Sequence, residues 1–138
     1  MIDIQLLETP LDPQACIRAV ASDRAGGTTV FIGTVRNHTQ GRDVQRLEFE
    51  AYAPMAIREM RKIAEAAQQR WSAERFSMHH RVGTLQIGEI AVVIAVATPH
   101  RQAAFEACQY AIDTLKETVP IWKKEIFTDG EVWVAAHP

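Results

Sequence analysis

With 138 residues, 47% of them hydrophobic, and a formal net charge of -2, the chain is long enough to bury one continuous core without disulfides or a structural metal. A balance of 15 basic against 17 acidic residues argues against the strongly basic face of a general nucleic-acid binder. The longest uncharged apolar run, Ile90 to Pro99, falls short of the roughly 20 residues that a membrane-spanning helix needs. The amino terminus, MIDIQLLETPLD, has no basic region leading into a long apolar run, so no secretory signal is expected and the protein reads as cytoplasmic.

Ile2 to Leu7 reads as a short strand. Asp12-Pro13 then supplies an N-cap and a proline at the first helical position, opening a helix to about Asp23. Gly26-Gly27 breaks the chain as a turn, without the further glycines and lysine of a nucleotide-binding loop. Thr28 to Arg36 is rich in β-branched residues, and the polar segment Asn37 to Asp43, read as a mobile loop, separates it from a second strand, Val44 to Tyr52. Pro54 begins a helix whose apolar stripe is Ile57, Met60, Ile63, Ala64, Ala67 and Trp71.

Arg75 to Leu85 and Glu89 to Thr98 follow as two strands around Gly88. The second is an almost unbroken apolar run, as in a central strand covered on both faces. The last helix, about Arg101 to Thr118, is expected to pack through Phe105, Cys108, Ile112, Leu115 and Val119. Pro120 ends it, and Ile121 to Phe127, the turn Asp129-Gly130, and Glu131 to Ala135 form a closing hairpin. The pattern is a single α+β domain over residues 1–138: two to three helices packed on a mostly antiparallel sheet, with an added β-hairpin subdomain. Cys16 and Cys108 fall among apolar helix residues without metal-type spacing, and read as small core residues of a reduced protein.

The distribution of cations is the chemical signal. Lys116 lies about 60° from the centre of the last helix's apolar stripe, and Lys123 shares a strand face with Ile121, Glu125 and Phe127, while Trp122, Lys124 and Ile126 point the other way. A lysine held against apolar surface beside other cations has its pKa pushed down and can trade protons; if it stays charged it is a counter-ion for a phosphate or a developing oxyanion. His100-Arg101, where an apolar strand meets a helix, adds backbone N–H groups and the positive end of the helix dipole. Arg36, at a strand end, is placed to fork onto a carboxylate or phosphate. Together these residues suggest a pocket for a small anion. His79-His80-Arg81 does not suggest a metal site, because strand neighbours point to opposite faces and no other ligands complete a set.

At these residues the chain resembles the large, catalytic subunit of molybdopterin synthase. The resemblance rests on GTVRNHTQG (Gly33 to Gly41), LEFEAY (Leu47 to Tyr52), HRVG (His80 to Gly83), TPHRQAAFEA (Thr98 to Ala107) and LKETVPIWKKE (Leu115 to Glu125), in that order and spacing. It implies an α/β-hammerhead fold and a central homodimer within a heterotetramer, each end binding a small ubiquitin-like sulfur carrier with a C-terminal Gly-Gly thiocarboxylate. The substrate would be cyclic pyranopterin monophosphate, which receives two sulfurs to become the dithiolene of molybdopterin, with no separate cofactor or metal. By motif, Lys116 would sit nearest the partner's terminal glycine and Lys123 would bind the pterin, both as catalytic groups. Thr34, Val35, Arg36, His100 and Arg101 would hold phosphate and pterin, across the dimer boundary if need be, and Lys124 and Glu125 would complete the wall. The chain ends on EVWVAAHP, where relatives of this kind commonly continue with a polar tail, so what such a tail adds to closing the pocket is not carried over by the resemblance. A reading of another class is a non-catalytic dimeric sensor of a small phosphorylated metabolite.

Overall fold

The computed structural model describes residues 1–135; the end of the chain, on which the expectation about a short tail bears, lies outside the described residues. Strands β1 (Ile2–Leu7), β2 (Gly27–Thr34), β5 (Arg75–Arg81) and β7 (Ile90–Thr98) form one sheet in the order β1-β5-β7-β2. β1 runs parallel to β5, and the other neighbours are antiparallel. Helix α1 (Pro13–Val20) lies on one face, while α2 (Ala53–Trp71) and α3 (Arg101–Thr118) lie on the other.

β7 shows why its run is apolar throughout. Val93, Ala95 and Ala97 pack with Cys16 and Val20 of α1, whereas Val92, Ile94 and Val96 pack with Met60 and Ile63 of α2 and Leu115 of α3. A period-two strand buried on both faces has no solvent side to mark with polar residues. α1 begins as expected, with the Asp12 carboxylate accepting from the Gln14 N–H at 3.0 Å.

A second sheet carries β3 (His38–Thr39), β4 (Arg42–Ala51), β8 (Ile121–Phe127) and β9 (Gly130–Ala135) in that order, and β6 (Gly83–Gln86) also pairs with β4. The result is the mostly antiparallel α+β architecture expected, with three helices and the β8–β9 hairpin at its edge.

Several local expectations are corrected. α1 stops at Val20 rather than near Asp23, because the Ala21 N–H turns back onto the Arg18 carbonyl at 3.3 Å. The segment read as a mobile loop contains β3, paired to β4 through His38–Asp43 and Thr39–Arg42 across a turn at Gln40 and Gly41. The strand expected over Arg75 to Leu85 is two strands in different sheets. Gly83, with φ of 99°, makes the redirection that a side chain would strain. Ile57 and Phe105, placed in apolar stripes, are 40% and 56% exposed. α3 instead buries the small residues Ala104, Ala107, Cys108 and Ala111 ahead of Leu115, so the helix seats close to the sheet.

Candidate functional site

A cavity of about 210 Å³ opens between the last turn of α3 and the second sheet. Lys116 reaches it from α3 and Lys123 from β8; Thr34 borders it where β2 ends, and Phe49 and His80 form part of its wall. The two lysines meet because Val119 and Pro120 turn the chain at once from helix into strand. Lys123 sits opposite Phe49 on β4 and Val134 on β9, both of which also line the cavity. Lys116 is exposed and Lys123 half-buried, so the apolar surroundings expected for both belong chiefly to Lys123.

Strand alternation separates the rest of the WKKE segment. Lys124 projects from the other face of β8, 3.5 Å from a Glu48 oxygen and 3.7 Å from Glu131, with its ammonium over the Trp133 ring at 4.9 Å. It is committed to those partners and is not part of the cavity lining. Glu125 shares Lys123's face and is buried, opposite Leu47.

Val35 and Arg36 continue from β2 past the cavity rim. Val35 is buried and tied to the β6–β7 turn, its N–H bonded to the Glu89 carbonyl and its own carbonyl accepting from the Gly88 N–H. That turn is held in place by Arg81, whose Nη1 lies 2.6 Å from the Glu89 carboxylate. Hydrogen bonds from the Gln86 N–H and then from Arg81 keep the Glu89 carboxyl below its ordinary pKa. Arg36 therefore projects from an anchored backbone into solvent.

His100 and Arg101 stand at the other end of α3. The helix rises roughly 1.5 Å per residue, which puts Arg101 about 22 Å along the axis from Lys116. They border a separate surface depression with Gly26 and Pro99. No side chain caps this helix start, so its first N–H groups face outward beside the two basic side chains. Gly26-Gly27 is more than a turn here: a Cβ on Gly27 would lie 2.8 Å from Arg101 Cα, so the bare backbone lets β2 abut the start of α3.

Within one chain the expected residues thus form two clusters. Among the described residues, Arg36, Arg101, Lys116 and Lys123 make no ion pair or side-chain hydrogen bond, whereas Arg42, Arg81 and Lys124 all have acidic partners. His79 and His80 diverge as strand neighbours must. His79 Nε2 meets the Asp3 carboxylate at 2.8 Å, and His80 enters the cavity wall. Burial opposes Asp3's ionisation, but hydrogen bonds from His79 and Ser77 outweigh it and keep the carboxyl below its ordinary range. Both thiols are buried, and burial pushes Cys16 up and Cys108 up to about 11, so neither is a ready thiolate. In the sequence His80 stands only as one of an adjacent histidine pair that does not suggest a metal site; that it enters the cavity wall depends on burial on a strand face, which is invisible without the fold.

The profile described as "MoaE protein" matches residues 6–118. The chain belongs to the MoaE family. The molybdopterin synthase catalytic subunit of Bacillus subtilis is 48% identical over 130 residues, covering 94% of this chain and 83% of that relative. The crystal structure of molybdopterin synthase from Staphylococcus aureus superposes with a TM-score of 0.90 at 41% identity, covering 94% of each chain. A likeness of fold alone, at 22% identity and a TM-score of 0.77, extends to a complex of subunits 1 and 2 of molybdopterin-converting factor from Helicobacter pylori. The function is accordingly the MoaE one, catalysis in molybdopterin synthesis, a step of molybdenum cofactor biosynthesis, rather than metabolite sensing. No helix among the described residues is long and apolar enough to cross a membrane.

Proposed function

We propose that the Lys116–Lys123 cavity is where sulfur passes from the thiocarboxylated Gly-Gly tail of a small ubiquitin-like partner to cyclic pyranopterin monophosphate, in two rounds that build the molybdopterin dithiolene. The observation that carries this reading is the pair of lysines without ionic partners among the described residues, Lys116 and Lys123, on the lining of one largely apolar cavity. A half-buried ammonium without a counter-ion is costly, and an anionic ligand offsets that cost. Both reactants supply one: the partner's thiocarboxylate and the substrate's phosphate.

Lys116, exposed at the cavity mouth, receives the partner's tail and assists proton transfer as sulfur is delivered. Lys123, deeper and flanked by Phe49, holds the pterin and is the second acid/base group. In each round the thiocarboxylate sulfur bonds to a substrate carbon as a carbon–oxygen bond of that carbon breaks and its oxygen leaves with a proton; water then cleaves the acyl–sulfur bond, leaving the sulfur on the substrate and the tail as a carboxylate. Buried, protonated cysteines favour an external sulfur carrier over an internal one. The pterin is substrate, and the reading calls for no further cofactor or metal.

The second cluster fits a composite site. Thr34 borders the cavity and Arg36 reaches toward its ligand from just past the rim, whereas the His100-Arg101 helix start, about 22 Å from Lys116 along α3, would serve the phosphate of a second protomer's site in a symmetric dimer. Glu125 supports the wall from Lys123's face, and Lys124 acts outside it. A cytoplasmic setting suits the soluble partner and reactants. Reconstitution tests the proposal: purified chain, thiocarboxylated partner and pterin monophosphate should yield dithiolene-containing pterin only when both proteins are present. Product formation independent of the partner would overturn it.

A further inference from the structure

The roles assigned above leave out one titratable side chain of the cavity wall. His80 is 3% exposed on β5, and its Nδ1 lies 2.8 Å from the Arg81 carbonyl oxygen. A carbonyl only accepts, so Nδ1 bears the proton and Nε2 of the neutral ring is left as an acceptor. Burial drives the His80 pKa down to about 4, which keeps the ring neutral near pH 7. Phe49 fixes its plane, edge to face, with centroids 5.3 Å apart.

Nε2 has no hydrogen-bond partner among the described residues. Among those residues, the one side-chain polar atom both sealed from solvent and unbonded is Arg81 Nε, so His80 Nε2 is not fully sealed, and His80 is part of the cavity lining. Its company there is donor-rich, since each lysine ammonium offers three donors and no acceptor. A carboxylate at this place would neutralise the lysines and repel an anionic ligand; a neutral imidazole accepts a hydrogen bond while leaving the cations free.

We propose that His80 Nε2 is the acceptor that recognises an N–H or O–H group of the bound substrate, so the cavity reads the ligand's charge through its lysines and its orientation through His80. This rests on the pterin reading given above, because a reduced pterin carries ring N–H and amino donors beside its phosphate.

Two isosteres separate the role from a structural one. His80→Asn keeps an N–H where Nδ1 donates to Arg81 and deletes the Nε2 acceptor; His80→Gln places an amide oxygen near Nε2 and gives up the Arg81 bond. Calorimetric titration of the pterin monophosphate uses the chain complexed with its partner in the unactivated carboxylate form, so that no turnover occurs. His80→Asn is expected to weaken binding about tenfold with unchanged Tm, and His80→Gln to bind closer to wild type despite a lower Tm. Equal affinity for wild type and His80→Asn, or His80→Gln binding no better than His80→Asn, overturns the role. Should His80→Asn not fold, the Nε2 resonance of ¹⁵N-labelled wild type decides: it shifts on titration if it accepts the ligand's hydrogen bond, and an unmoved resonance refutes the proposal. A folded wild-type complex that binds no pterin at all overturns the pterin reading itself, an outcome distinct from loss of the His80 role alone.

Discussion

Lys116 and Lys123 line one cavity from two different elements, the first from the last turn of α3 and the second from β8. Lys124, the next residue, faces away into contacts with Glu48 and Glu131. That division gives adjacent lysines opposite expected phenotypes. Lys123→Ala should lower turnover by roughly 10²-fold or more, as for loss of a positioned acid/base group. Lys124→Ala should leave turnover near wild type and cost about 1 kcal/mol of stability, since its ion pairs are only partly buried. Steady-state rates and chemical denaturation of both variants check this.

How the sequence reached this far, and where it stopped, follows from what is local. The Asp12-Pro13 cap, the Pro120 stop and the alternation in WKKE depend on near neighbours, and each appears in the structure as read. The parallel pairing of β1 with β5, the split at Gly83 and the exposure of Phe105 depend on distant parts of the chain, which no local pattern encodes. For the site, cation clustering showed which residues to consider. It also placed His100 and Arg101 at the far end of the last helix from Lys116, but it did not show that His80 enters the wall.

The separation of the two clusters predicts complementation. Arg101→Ala and Lys116→Ala homodimers should each be nearly inactive, while mixed dimers should recover substantial activity, because one of their two composite sites keeps both residues. Activity after unfolding and refolding the two variants together measures this; no recovery despite verified heterodimers would place both residues in one protomer's site.

The glycine pair should be structurally demanding. Gly27→Ala brings a Cβ to 2.8 Å from Arg101 Cα, backbone that cannot simply rotate aside. The variant is expected to lose about 1–3 kcal/mol, typical of overpacking, and to weaken phosphate-dependent binding by displacing the start of α3. Urea denaturation and ligand titration read the two effects.

His80 sets an acid limit on stability. Its ring is neutral in the fold down to about pH 4, against an ordinary value of 6.5, so between these limits the unfolded chain binds a proton that the native state refuses. Stability is thus fully present above pH 6.5 and falls as the pH drops toward 4, by on the order of 3 kcal/mol from this group. His80→Asn should flatten that part of the stability profile relative to wild type, as measured by denaturation at pH 7 and pH 5.

The most direct measurement is sulfur transfer by the reconstituted Lys116→Ala complex, with partner thiocarboxylate verified by mass and product read as oxidised dithiolene pterin. Lys116 is exposed and makes no ion pair among the described residues, so the variant should fold and dimerise normally, and its rate is read at saturating partner. The account predicts turnover lost by 10²-fold or more, in the range of acid/base catalysis; near-normal turnover from the folded variant would contradict the assignment of the chemistry to this cavity.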